Sequence, residues 1–311
     1  MFAAMLFAFA QVASTPAEPE ILVEGQAKTD TEIRNEAHGF IRAIAAPAGS
    51  ADQLGRWNEP ICPKVYGATL TEEALVLDRV RALAAEAGIR QSKLRHCAPN
   101  ILIAYTAAPQ EAVRDIMKRR PHSGRALPTA AREDLAEGRY PVRWWYDLRV
   151  EGRSGQAPTG DHPALLGALT TSAGGPGSGG GGQIAQSENQ AGFVSDYSSS
   201  IIGKKSRISI GAATVIIDFN AVRGRPKEAV ASLVALVALA PLKLPPRAVP
   251  TPTITNLFQG PEETRSLDLT EWDRAYVAAL YKTAANRSAK VQQGAMTARI
   301  ARVMRGEEKR P

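Results

Sequence analysis

Apolar residues recur at the helical period in TDTEIRNEAHGFIRAIAAP, where Ile33, Ala37, Phe40, Ile41 and Ile44 share one side and the run stops before Pro47. Thr29 or Thr31 supplies the cap. The stretch 69–88 repeats the pattern, with Leu75, Leu77, Val80 and Leu83 as the stripe and Gly88 as the stop. ILIAYTA, starting near Ile101, is short and apolar and predicts a buried strand, with PQEAVRDIMKRR as the helix after it. Alternation across 142–150, within RYPVRWWYDLRVEG, predicts a second strand, and EILVEG (20–25) is a shorter β-favourable piece near the start. SRISIGAATVIIDF (206–219) predicts a strand pair or one long bent strand, broken at Gly211.

The pattern then changes. PKEAVASLVALVALAPL is apolar on nearly every side between Pro226 and Pro241, which predicts a central buried helix. A Pro-rich connection around ITNLF follows. LDLTEWDRAYVAALYKTAA predicts a capped amphipathic helix with Thr270 and Asp273 as local caps, packing through Ala275, Val277, Ala278, Leu280 and Tyr281. A basic terminal helix or pair of helices, with a mobile tail, is expected over 286–311.

These elements predict an α+β chain: a mixed small sheet packed by several helices, forming a single domain over 20–311. A content of 44% hydrophobic and 22% charged residues in 311 excludes a fibrous or wholly disordered protein. One stretch departs from that average. Residues 159–200 contain GGPGSGGGG followed by polar sequence, and ordering such a backbone costs much entropy, so a flexible insertion is expected there.

MFAAMLFAFA and the small, polar residues after it read as a signal peptide and cleavage region over 1–19, with Ala8 and Ala10 as the small pair but no basic residue ahead of them. The run is shorter than the roughly 20 apolar residues of a membrane-spanning helix, and no later window supplies a span. A periplasmic or secreted location follows. The formal net charge of +7 is spread among interspersed acids, which points to solubility and away from a specific nucleic-acid partner.

Cys62 and Cys97 are the two cysteines, and in an exported chain they are expected to form a structural disulfide; a pair of buried free thiols is the alternative. The four histidines, His38, His96, His122 and His162, form no HExxH, so no metal site is assigned. Gly177, Gly179 and Gly182 match a dinucleotide glycine pattern without its strand-turn-helix setting, and SSSIIGKKS only approaches a phosphate loop, so no cofactor is expected. Asp161 and His162 lack a nucleophile elbow, and Asp147, Asp218, Asp268 and Asp273 carry chemistry only if they converge. Candidate ligand or partner contacts are Arg143, Trp144, Trp145 and Arg149, whose aromatics alternatively pack a core, together with Asn256 and Phe258.

WNEPICPKVYG, a helix ending AAEAG, HCAPN and ILIAY resemble a family of uncharacterised exported proteins of alphaproteobacteria. VIIDFN, ASLVALVALAPL, ITNLF and LTEWDRAYVAALY extend the resemblance over most of the mature chain. The C-terminal half is similar to a metallopeptidase (zincin-like) scaffold. SLVALVALA (232–240) stands at the active-helix position with no His or Glu, so the resemblance implies a degenerate, zinc-free form. The first functional expectation is therefore a non-catalytic exported structural or interaction protein whose partner is an unidentified protein or envelope component. A hydrolase acting on peptide or cell-wall material is the second. Binding of an anionic polymer through Arg143, Arg149 and the basic tail is the third.

Overall fold

The computed structural model describes residues 28–94, 96–120, 123–124, 127–138, 140–152, 203–259, 261–262 and 265–308. The expected signal segment, the EILVEG strand, the Gly-rich insertion, His122 and His162 lie outside them. In chain order the elements are α1 (Asp30–Ile44), β1 (Pro63–Tyr66), α2 (Leu70–Glu86), β2 (Ile101–Thr106), α3 (Pro109–Arg119) and α4 (Thr129–Glu137). They continue with β3 (Val142–Gly152), β4 (Ser206–Asp218), α5 (Lys227–Leu239), a 3-10 turn (Ile254–Phe258), α6 (Glu271–Lys282) and α7 (Ala289–Met304).

Three helices start with the same device. Thr29, Thr69 and Thr270 cap α1, α2 and α6, and the acid three positions on, Glu32, Glu72 or Asp273, returns its carboxylate to the cap. Thr29, not Thr31, is thus the cap of α1. The Thr69 hydroxyl donates to Glu72 at 2.8 Å, and the Glu72 N–H donates back at 3.3 Å. That hydroxyl, then the Thr69 N–H, holds the Glu72 carboxyl below the usual range. Thr69→Ala is expected to cost about 1 kcal/mol at neutral pH, read from denaturant midpoints. Because the folded pKa is depressed, Glu72's share is present above the ordinary glutamate value and lost as pH falls through the folded one, so the penalty should shrink in acid. An equal penalty at both pH values would count against this account of the cap.

β1, β2 and β4 run parallel and β3 joins β4 antiparallel, giving the order β1-β2-β4-β3. This is the mixed small sheet expected from the sequence. β4 is one strand of 13 residues rather than a pair, and Gly211 is its irregularity: Asp147 opposes Ala212 while Leu148 opposes Ile210, leaving Gly211 as the extra residue of a bulge. Alternation sends Ile101, Ile103, Val215, Ile217, Val142 and Tyr146 to the face that carries α1, α2, α5 and α6. Trp145 and Ile216 face the other way, onto Val113 of α3 and Leu135 of α4. On α2 the buried face is Val76, Val80, Leu83 and Ala84, so Leu75 and Leu77 flank the stripe instead of forming it.

α5 is buried from Ala229 through Leu239, as its uniformly apolar sequence predicts. A buried helix end must still satisfy its last carbonyls. Here aromatic side chains from distant elements do so. Trp57 Nε1 donates to Ala238 O at 2.9 Å, Tyr281 Oη to Leu239 O at 2.7 Å, and Tyr146 Oη lies 2.7 Å from Val237 O and 2.8 Å from Ala240 O. Among the described residues no helix is long and apolar enough to cross a membrane.

Of the basic terminal helix or pair of helices expected over 286–311, the structure forms one packed helix, Ala289–Met304. Lys290 is exposed and Arg299 and Arg302 are half-buried against Glu308, whereas Gln292, Met296, Thr297 and Ile300 are buried against the rest of the fold. Gln292 accepts from Leu54 N at 2.7 Å and donates to Ala284 O and Ala285 O at 3.0 Å. Beside it, buried Arg56 donates to Thr283 O and, at 3.5 Å, to Ala284 O, capping the end of α6; burial lowers its pKa to about 10. Gln53 joins the same network through Ser206 O at 2.9 Å.

Cys62 and Cys97 are disulfide-bonded, with Cα atoms 6.1 Å apart. The bond ties the start of β1 to the approach of β2. Asn100 reinforces it, accepting from Cys62 N at 2.7 Å and donating to Pro60 O at 3.1 Å.

Candidate functional site

β3 is the last strand of the sheet, and its outer side follows from hydrogen-bond parity. Asp218 N donates to Pro141 O across the β3–β4 pair at 2.9 Å, whereas Ala213 N and Phe219 N donate to Asn100 O and Thr106 O on the β2 side, both at 2.9 Å. Thr214 and Ile216 therefore face β3, and their partners there are Trp145 and Arg143. The N–H and C=O groups of Val142, Trp144 and Tyr146 are left on the outer edge, where no described residue pairs with them.

A cavity of about 520 Å³ lies against that edge. Leu127, Leu135 and Tyr140 line it from one face of the sheet, and Trp144, Leu242 and Leu244 from the other, so it wraps the strand instead of sitting on either face. The far wall is the segment 241–246. Ala46 N donates to Pro241 O at 3.2 Å and Lys243 N to Ile44 O at 2.9 Å, pinning this segment to the end of α1. Trp144 Nε1 donates to Leu242 O at 2.7 Å, and Gln259 Nε2 to Pro245 O at 2.7 Å. Pro245 and Pro246 have no N–H to offer a neighbouring strand, so the wall cannot close onto β3 as a fifth strand.

The six sequence candidates part company here. Arg143, Trp144 and Trp145 line the cavity, while Arg149, Asn256 and Phe258 do not. Arg143 is 1% exposed and donates to Leu135 O at 3.1 Å, Tyr140 O at 2.6 Å and Gly138 O. Burial lowers its pKa, against the opposing pull of Asp218. Trp145, equally buried, donates to Ser123 Oγ at 2.8 Å. Both are structural. Asn256 is buried too and is occupied by Val249, accepting from its N at 3.0 Å and donating to its O at 2.9 Å. Phe258 packs half-buried against the core, and Arg149 is exposed near Glu59 at 3.9 Å. Trp144 is the candidate that stands at the open edge.

The four carboxylates close separate local networks. Asp147 accepts from Gly124 N at 2.6 Å and Ser123 Oγ at 3.2 Å, and burial raises its pKa. Asp218 accepts from Asn220 N at 3.0 Å, and Asp268 from Ser232 Oγ at 2.6 Å. Asp273 is fully buried; desolvation raises its pKa against the pull of Thr253 Oγ1 at 2.5 Å and of Ile254 N, Thr270 N and Thr270 Oγ1, each at 2.9 Å. Among the described residues no three His, Cys, Asp or Glu side chains are placed to share a metal ion, and His38 and His96 are exposed. Sequence reasoning missed the cavity wall, because Leu242 and Leu244 looked like ordinary connector residues. The signal available was the pair of prolines after them.

No protein-family model matches the chain, and no curated protein or solved structure matches it.

Proposed function

We propose that this chain is an exported interaction protein that holds an extended segment of a partner polypeptide along the free edge of β3. The observation that carries the reading is the 520 Å³ cavity lined from both faces of the sheet around the backbone of Val142, Trp144 and Tyr146, with which no described residue pairs on that side. A strand added there gains main-chain hydrogen bonds, and its alternate side chains enter the apolar wall formed by Leu242 and Leu244. The Cys62–Cys97 bond supports an oxidising compartment, the periplasm or the exterior. The anionic-polymer reading has less support, since Arg143 directs its donors at backbone carbonyls.

The test is selection of nine-residue peptides against the oxidised protein. Enriched sequences are expected to carry apolar residues at alternate positions and to slow amide exchange at Val142, Trp144 and Tyr146. Leu244 is 36% exposed, so Leu244→Asp should leave the melting temperature unchanged and weaken the selected peptides by about tenfold. Peptides that bind Leu244→Asp as well as the parent, and leave those three amides unprotected, would reject the edge as the site.

A further inference from the structure

A second cavity, of about 200 Å³, lies at the carboxyl ends of β2 and β4, between α2 and the turn that leads into α5. Its walls include Leu75 and Val76 of α2 and Val222 and Val230 from the β4–α5 side. It shares no lining residue with the cavity at the β3 edge, and Tyr105 and Phe219 stand where the parallel strands end. The carboxyl ends of parallel strands are where open α/β sheets usually bind ligands.

Two polar groups that line this cavity make no hydrogen bond or ion pair with any described residue. The Tyr105 hydroxyl is half-buried, and no described residue makes a hydrogen bond with it, although tyrosines so placed ordinarily find a partner. Burial, and after it the charge of Glu72, push the phenol well above its usual range, so it stays a donor at neutral pH. Arg223 is exposed and rests over the Phe219 ring, 5.6 Å from the centroid, and no described residue makes a hydrogen bond or an ion pair with it. The other charges are matched. Lys227 sits 3.0 Å from Glu72, and Arg225 3.8 Å from Glu262. Beside the Glu72–Lys227 pair, which also lines it, the chamber offers apolar walls, a hydroxyl donor and a guanidinium that no described carboxylate pairs, a combination that suits an acceptor bearing negative charge on an apolar body.

We propose that this cavity binds a small amphipathic anion, an apolar group of a few carbons carrying a carboxylate. Its volume is below the roughly 300–1,000 Å³ of sites for drug-sized ligands, which sets the size class. The carboxylate accepts from Tyr105 and Arg223, and the hydrocarbon lies against Val76 and Val230. This site is independent of peptide capture at β3.

Hexanoate is the probe, titrated into the oxidised full chain and followed by calorimetry and by amide shifts. Saturable binding is expected, with the largest shifts at Tyr105 and Gly224. 1-Hexanol, which lacks the charge, and inorganic phosphate, which lacks the apolar body, should each bind at least tenfold more weakly. Tyr105→Phe removes one oxygen and should weaken hexanoate by about tenfold, the scale of a lost hydrogen bond to a charged acceptor. Arg223→Gln, at an exposed position, should weaken it by roughly threefold to fivefold. Hexanol or phosphate binding as tightly as hexanoate, unchanged affinity in both variants, or no saturable binding overturns the proposal. Melting curves of the two variants, expected to match the parent, separate loss of the site from loss of the fold.

Discussion

Asp273→Ala is expected to lose about 3–5 kcal/mol of stability, which for most domains is a large part of the total. The carboxylate is fully buried and joins two elements: it closes the capping box of α6 and accepts from Thr253 Oγ1 and Ile254 N at the start of the 3-10 turn. Alanine removes the acceptor and leaves the donors behind. Thr270 Oγ1 retains Pro252 O at 2.9 Å, but the buried Ile254 N–H and the part-buried Thr270 N–H both lose their acceptor, and a fully buried orphan costs about 1–3 kcal/mol. Asp273→Asn keeps one carbonyl oxygen and should lose less. Denaturant midpoints of the three proteins check this order, and an alanine variant as stable as the asparagine one would remove the carboxylate from its central place.

Loss of the disulfide is the second large effect. Closing a separation of 35 residues restricts the unfolded chain by about 4 kcal/mol in the loop-entropy account, so Cys62→Ser with Cys97→Ser should destabilise by up to that amount. Much of the loss acts on the unfolded chain, so the denaturant slope should rise as the midpoint falls. β1 has only four residues and pairs on one side alone, with β2. Its amides should therefore lose exchange protection before those of β4. An unchanged midpoint after reduction would show the bond to be an ornament on an already rigid corner.

Much of the fold could be read from local sequence because its signals are local. The Thr-x-x-acid caps of α1, α2 and α6 need only four residues to be recognised, and Gly211 announced an irregularity that proved to be a bulge. β1 and α4 were missed: PKVY is too short to show a period, and TAAREDLAE has no fully buried residue and so no stripe. The candidate site was legible only in part. Adjacent residues of a strand face opposite ways, so Trp144 and Trp145 could never have formed one aromatic surface, and period two already implied as much. Which of the two borders open space depends on strand order, and that is decided by β4 entering between β2 and β3, far along the chain. The cavity with Tyr105 and Arg223 depends likewise on α5 returning beside α2.

The aromatic closure of α5 also bears on how this protein comes together. Ala238, Leu239 and Val237 find their partners on Trp57, Tyr281 and Tyr146, which belong to an early loop, a late helix and the edge strand. No contiguous piece of the chain short of residues 57–281 contains all three donors. A nascent chain released or cleaved before α6 keeps Trp57 and Tyr146 but holds its most apolar helix with the Leu239 carbonyl open, and the final turn of α5 acts as a test of completeness that only the nearly whole chain can pass.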